Sequence, residues 1–305
     1  MRLPISAIIL AKNEERNIRE CLESIYGQID EIFIVDSYSS DKTVEIAKQY
    51  TDNIFQHKFD CYAKQFDWAL KNIPFSNPWI IRLDADERWP AEALEELKGI
   101  ISEGDIEGVY VKMKIYFMDK WIRFGGFYPN YFLRVFRMNE AIIEKRYMDE
   151  HIAVGGKTKV LNNDIIEYNE KDRNFSIANF IIKHNSYSNR EAIEEVIMRS
   201  GLGRFDTIAD FSGNKTERKR WVKEKIYLKL PLFARAIIYF VYRYFFQLGF
   251  LDGKRGLIFH FLQGLCYRFI VDAKIYEIER RANGDKSKIK EAIKKIYNID
   301  IDSFF

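Results

Sequence analysis

From Ile5 to Ala11 the chain reads ISAIILA, a continuous apolar run of strand length that stops at Lys12, Asn13 and Glu14. NIRECLESIY follows, with Ile18, Leu22 and Ile25 at helical spacing. The alternation repeats. EIFIVDS reads as a strand ending in Asp36, and Ser39, Ser40 and Asp41 offer N-cap chemistry before a helix over KTVEIAKQY. NIFQHKF reads as a third strand, YAKQFDWALKNI as a helix and WIIRLDAD as a fourth strand. Strands alternating with helices predict an α/β fold, a mainly parallel sheet with helices on both faces. In such sheets ligands bind outside the carboxyl ends of the strands. There this sequence turns polar, at Asn13 and Glu14, at Asp36, and at Asp84 and Asp86. For any one of these positions, charge re-emerging into solvent is the simpler account.

The pair in the DAD triplet shifts that balance. In an extended chain residues two apart face the same side, so Asp84 and Asp86 address one small object while Ala85 faces away. Carboxylates held that close resist ionising together unless a cation sits beside them. A hard divalent ion with oxygen ligands, Mn²⁺ or Mg²⁺, suits the pair and keeps positions open for phosphate oxygens.

After Pro90 and EALEELKGII, the strand-like GVYVKMKIYFM and YFLRVFRM flank Trp121, Phe124, Phe127 and Tyr128. These aromatics suit a ligand-binding wall or core packing equally. RYMDEHIAVGG then places Asp149 and Glu150 in an acid-rich turn, and FIIKHNSYSN carries His184. From Ile226 to Tyr276 the chain is rich in Phe, Tyr, Leu and Ile, but Lys229, Arg235, Arg243, Asp252, Lys254, Arg255 and Arg268 interrupt it too often for a spanning helix. Aromatic helices bordered by Lys and Arg fit a membrane interface, and a helical pair packed on protein is the alternative. DKSKIKEAIKKIYNIDIDSFF reads as a closing charged amphipathic helix. The division is therefore 1–215 for the α/β domain, in two halves of 1–100 and 101–215, and 216–305 for a helical appendage.

Composition narrows the classes. A chain of 305 residues, 47% hydrophobic and 30% charged, suits one large domain with an appendage and excludes disorder. A formal net charge of +3 gives no basic field for nucleic acid. Cys21, Cys61 and Cys266 have no metal-ligand or redox spacing, as expected of a reducing, cytoplasmic compartment. The opening MRLPISAIILAKNEE is too short to span a membrane and lacks a secretory cleavage pattern.

The segments ISAIILAKNEERNIRECLESI, EIFIVDSYSSDKTVEIA and WIIRLDADERWP, in this order and at about this spacing, resemble family 2 of the glycosyltransferases, whose fold is the GT-A nucleotide-binding α/β sheet. The tail FLDGKRGLIFHFLQGLCYRFIVDAKIYE is similar to the end of bacterial lipopolysaccharide-core β-glucosyltransferases, which work at the inner face of the cytoplasmic membrane. The resemblance implies a UDP-sugar donor, a glycan or glycolipid acceptor, a metal-dependent diphosphate site at Asp84 and Asp86 with Ala85 between them, and inversion at the anomeric carbon. It assigns Ala11, Asn13 and Glu14 to the nucleotide loop and Asp36 to the uracil and ribose. It assigns Lys64 or Gln65 to a base or phosphate contact, and His184 to the diphosphate or metal. The family often has a second acid after Asp36, where this chain has Ser37. The resemblance also places the catalytic base at Asp149 or Glu150. Glu150 is preferred, because neighbours in an extended segment face opposite sides and its longer side chain reaches a hydroxyl. Two rival readings are a nucleotide-binding membrane adaptor without turnover and a sugar-phosphate nucleotidyltransferase, which would open on a Gly-rich loop that IILAKNEERN is not.

Overall fold

The computed structural model describes residues 2–144, 146–148, 151–168, 177–205 and 207–301. The chain packs as two compact units, the first within Met1–Arg123, Phe127–Ile143 and His151–Asn174, the second within Phe124–Gly126, Glu144–Glu150 and Phe175–Phe305.

The first unit runs β1 (Leu3–Ala11), α1 (Ile18–Ile25), β2 (Ile29–Asp36), α2 (Thr43–Ala47), β3 (Ile54–Gln56), α3 (Tyr62–Asn72), β4 (Trp79–Asp84), β5 (Glu87–Arg88) and α4 (Ala91–Ile101). It continues with β6 (Ile106–Phe117), β7 (Lys120–Trp121), β8 (Tyr131–Arg137), β9 (Ala141–Ile143), β10 (Ile152–Val154) and β11 (Lys157–Glu167). Among the described residues the main sheet has the order β3-β2-β1-β4-β8-β6-β11-β5, with β7 paired to β6, while β9 and β10 form a separate ribbon. β1 lies parallel to β2 and β4, β2 to β3, and β6 to β11. β8 runs antiparallel between β4 and β6, β5 is antiparallel to β11 and β7 to β6, so the sheet expected to be mainly parallel is mixed. The sheet is that of a mixed α/β fold, with helices on its faces.

The apolar runs are continuous because the sheet is covered on both faces. On β1, Ile5, Ala7, Ile9 and Ala11 join a core with Ile18, Leu22 and Ile25 of α1 and Leu94 and Leu97 of α4. The alternate residues Ile8 and Leu10 join a second core with Phe66 and Ala69 of α3 and Phe136 of β8. The i, i+3, i+4, i+7 spacing of Ile18, Cys21, Leu22 and Ile25 turns one stripe of α1 inward, and all of them are buried.

The second unit contains α5 (Ile177–Ser200), α6 (Lys215–Lys225), α7 (Ala234–Val241), α8 (Gly253–Phe259), α9 (Tyr267–Arg281) and α10 (Ile289–Tyr297). Ala192, Ile193, Val196 and Ile197 of α5 pack with Tyr267, Val271, Ile275 and Ile278 of α9 and Ile293 of α10. Residues 177–205 thus pack with the helices that follow, whereas the sequence division at 215 grouped them with the sheet. A capping box between Asn214 and Glu217 starts α6.

One expectation about this unit is corrected. Arg235, Arg243 and Arg268 do not border an outward surface. Arg235 is buried between Glu195 (2.7 Å) and Asp272 (2.7 Å). Arg243 donates to the Gly125 carbonyl at 2.7 Å, and Arg268 to Glu191 at 2.6 Å. A buried guanidinium requires such acceptors, and Asp272, on the same helix as Arg268, supplies one of them. Among the described residues no helix is long and apolar enough to cross a membrane.

Candidate active site

The strand ends align. Ala11 of β1 is in register with Asp36 of β2, and Leu10 with Asp84 of β4, so Asp36, Ala11 and Asp84 finish neighbouring parallel strands along one rim. Asp36 is fully buried. Its carboxylate accepts the Ser39 N–H at 3.1 Å and the Gln56 amide at 3.3 Å, closing the turn that follows β2.

The loop after β1 is clasped to the loop after β2. Asn13, in the left-handed region at φ 55°, donates its N–H to the Ser39 hydroxyl (2.8 Å), while its side-chain oxygen accepts the Ser40 N–H (2.8 Å). The Glu14 N–H donates to the Thr43 hydroxyl at 2.7 Å, and the Glu14 carboxylate accepts from Asn17 at 2.6 Å. The N-cap position of α2 falls on Lys42, without a side-chain cap, rather than on Ser39, Ser40 or Asp41. Ser39 and Asp41 instead satisfy backbone N–H groups of the neighbouring loop, Asp41 accepting the Glu15 N–H at 3.1 Å. Asparagine tolerates the left-handed conformation better than most residues, which fits it to the bend.

β4 ends at Asp84, and Ala85 and Asp86 form the turn into β5. The alternation of an extended chain therefore does not place Asp86, and the same-side argument for the pair is corrected. Charge proximity still groups them, since Asp84 and Asp86 both act on the buried carboxyl of Glu87. Ala85 is buried in the core beneath. Arg134, from β8, donates to Asp84 at 2.9 Å and pairs with Glu87, and Arg82 lies 3.8 Å from Asp84. The Asp84 N–H also donates to Glu87 at 3.3 Å. Burial pushes the Glu87 carboxyl up to about 8; Arg134 opposes the shift, and Asp84, Asp86 and Glu167 reinforce it. Burial alone would lower Arg134, but Glu87 and Asp84 hold its guanidinium above its ordinary value. Neither Glu87 nor Arg134 stood out in the sequence. Glu87 directly follows the DAD triplet, and that adjacency was the available signal.

Among the described residues no group of three or more His, Cys, Asp or Glu is arranged as a complete metal cage. The donor set nevertheless fits a hard divalent ion of the kind that takes one or two carboxylates and shares its other positions with phosphate. Asp84, about a third exposed, and the half-buried Asp86 are the accessible members of this acid-rich cluster, while Glu87 is buried.

The other expected site residues fall as follows. Gln65 is buried with both ends of its amide engaged: Oε1 meets His57 Nδ1 at 2.7 Å, and Nε2 donates to the Ser37 hydroxyl at 3.0 Å. Lys64 pairs with Asp60 at 2.6 Å on the surface of α3. His57, unremarked in the sequence, stacks on Trp68 at 4.4 Å, and its backbone N–H donates to the Asp36 carbonyl at 3.0 Å, so this ring pair adjoins the Asp36 turn. Trp121 and Tyr128 meet edge to face at 4.9 Å, with Lys114 5.2 Å and Arg123 5.4 Å from the indole ring. The Tyr128 hydroxyl donates to Asp164 at 2.9 Å, and burial with that carboxylate pushes it up to about 12. Phe124 belongs to the second unit, where its N–H donates to Asp252 at 2.9 Å.

His184 also lies in the second unit, on α5, stacked on Phe180 at 3.7 Å. Burial lowers it to about 4. Its Nδ1 meets the Phe180 carbonyl at 2.8 Å; a neutral ring donating there keeps Nε2 as an acceptor. Asp149 and Glu150 lie outside the described residues. Just before them, the N–H groups of Tyr147 and Met148 both donate to Glu194 at 3.0 Å, and Glu194 in turn accepts from Arg146 at 2.9 Å.

A family model described as glycosyl transferase family 2 matches residues 6–196, more than half of the chain. The lipopolysaccharide core biosynthesis glycosyltransferase LpsC of Rhizobium meliloti (strain 1021) is 27% identical over 295 residues, spanning 93% of this chain and 97% of that protein. An uncharacterized glycosyltransferase of Rickettsia felis is 35% identical over 98 residues, 32% of this chain and 34% of that one. A crystal structure of glucosyl-3-phosphoglycerate synthase from Mycobacterium tuberculosis with Mg²⁺ and uridine diphosphate aligns at 22% identity and a TM-score of 0.31, covering 36% of this chain and 43% of that one. The family match begins at Ser6 in β1 and runs through every strand of the rim just described, and on that footing the chain belongs to glycosyl transferase family 2.

Proposed function

We propose that the protein is an inverting hexosyltransferase. It moves a hexose from a UDP-sugar to a glycan or glycolipid acceptor in cell-surface polysaccharide synthesis, of the lipopolysaccharide-core kind, working peripherally on the inner face of the cytoplasmic membrane. The observation that carries this reading is the rim on which Asp36, Ala11 and Asp84 end neighbouring strands in register. The nucleoside is assigned to Ala11, Asn13, Glu14 and Asp36. Lys64 supplies a cation to the phosphates, and Gln65 acts by fixing Ser37 and His57. A divalent cation, Mn²⁺ or Mg²⁺, would be held by Asp84 and Asp86, and when bound it would neutralise the departing diphosphate. His184, expected from the resemblance as a further ligand, is not grouped with them among the described residues. Glu150 removes the proton of the acceptor hydroxyl as that oxygen attacks opposite the diphosphate, and Asp149 is the alternative base. The name of the Rhizobium meliloti relative supports the lipopolysaccharide-core assignment.

Calorimetric titration of UDP in Mn²⁺, with and without EDTA, tests the donor site, alongside UDP release from UDP-sugars. Chelation should abolish most of the affinity and the turnover. Affinity indifferent to EDTA would remove the metal from the site, and UDP binding without turnover of any UDP-sugar would favour the adaptor reading.

A further inference from the structure

The C-terminal unit carries a surface that its own packing does not use. α7 runs on through Tyr242–Phe246, a tight turn spans Gly249–Asp252, and the chain returns as α8 and α9. The two arms of this helical hairpin meet through Phe240 and Phe261, whose rings lie 6.2 Å apart. At the tip, Phe246 is 74% exposed and Phe245 56%, and Leu248, Phe250 and Leu251 are also outward. Ile237, Ile238, Val241 and Tyr242 extend the apolar stripe along α7, at the spacing of one helix face. The opposite side of the same arm buries Arg235, Ala236 and Arg243. Leu248 is held at φ 59°, a left-handed conformation uncommon for leucine, so the turn keeps an apolar residue outward where glycine or asparagine would be usual.

Charge selects the occupant. Between Ile226 and Tyr276 the acids are Asp252 and Asp272, and both are buried. Asp252 is turned inward to accept the Phe124 N–H at 2.9 Å, and Asp272 is taken by Arg235 at 2.7 Å. Lys229, Lys254 and Arg255 remain exposed. The outward face therefore presents apolar side chains and cations with no carboxylate among them. Two copies meeting tip to tip would bring Lys254 and Arg255 against their own kind. Anionic lipid headgroups over an acyl boundary complement both properties.

We propose that the hairpin tip from Phe245 to Arg255 is a lipid-inserting element that seats the enzyme on an anionic bilayer. This rests on the peripheral-membrane part of the function proposed above and assigns it to one structural element. Phe245, Phe246, Leu248, Phe250 and Leu251 enter the headgroup region, and Lys254 and Arg255 stay at the phosphates.

Flotation of the full chain with phosphatidylethanolamine–phosphatidylglycerol vesicles, and with pure phosphatidylcholine vesicles, is the test. Three proteins are compared: wild type, Phe246→Ser with Leu251→Ser, and Lys254→Gln with Arg255→Gln. Wild type should float with the anionic vesicles. The apolar variant should lose about tenfold or more in partitioning. The charge variant should lose roughly thirtyfold at low salt and little at high salt. Because every replaced side chain is exposed, melting temperature and UDP affinity should not move. Wild type and both variants floating equally would overturn the tip while leaving membrane attachment intact. Wild type failing to float on either vesicle would overturn both. A wild-type dimer that ignores vesicles and dissociates in the apolar variant would show that a second copy covers the tip.

Discussion

Replacing Glu87 by Gln asks whether the carboxyl beneath Asp84 is a neutral acid or one half of an ion pair. Glu87 is 1% exposed, so solvent does not screen it. Its carboxyl is raised by burial from an ordinary 4.5 to about 8 despite Arg134. A carboxyl so raised takes up a proton on folding. The stability it contributes is complete below pH 4.5 and is lost as the pH climbs to about 8. Multiplying that interval by ~1.36 kcal/mol per pH unit gives a loss of about 5 kcal/mol across the window, an upper bound. Gln keeps the shape and an oxygen for the Asp84 N–H, but it has no proton to lose. Urea denaturation of wild type and Glu87→Gln in metal-free buffer at pH 5, 6, 7 and 8 reads the difference directly. The stability of the variant relative to wild type should improve with pH, by up to ~1.4 kcal/mol per unit. A difference that does not change with pH would refute the reasoning. So would a variant destabilised by about 3–5 kcal/mol at every pH, the result expected if Glu87 is ionised and tightly paired with Arg134.

Other expectations concern the chemistry. Glu150→Gln should lower kcat by roughly 10²-fold to 10⁴-fold in single-turnover transfer with UDP affinity unchanged, and collapse in Asp149→Asn instead would move the base by one residue. Asp84→Asn should make UDP affinity insensitive to EDTA, as calorimetry would show; a preserved EDTA response would take the cation off Asp84. Since burial holds His184 at about 4, any stability it contributes is present above pH 6.5 and lost as the pH falls toward 4, a shift that NMR titration of its ring would follow.

The first four strands were legible because their signals are local. Each run such as ISAIILA is apolar throughout, since both faces of its strand are covered, and the polar residue that ends it marks the rim. What was hidden depends on partners distant in the chain. Arg134 meets Glu87 from 47 positions away, and Arg235 meets Asp272 from 37, so no periodicity announces that these charges are buried. Arginines in an aromatic-rich stretch read as lipid-facing until the carboxylates opposite them are known. Asp86 misled for a smaller reason, because the strand stops two residues before the triplet ends. Gln65 was placed on the correct helix, but its amide turned out to fasten His57 and Ser37, which only the fold brings together.

The division of β1 between two cores bears on how this protein can vary over evolutionary time. Ile5, Ala7, Ile9 and Ala11 fit one layer, and Ile8 and Leu10 the other. Inserting or deleting a single residue in β1 would exchange the two sets, pushing bulky side chains into space shaped for alanine. The same slip would carry Ala11 out of line with Asp36 and Leu10 out of line with Asp84. Length changes among descendants should therefore be rejected within Leu3–Ala11. They should gather in segments such as the turn after α4, where Gly104 has open space around it. A library of single-codon insertions, selected for activity, would map that boundary directly.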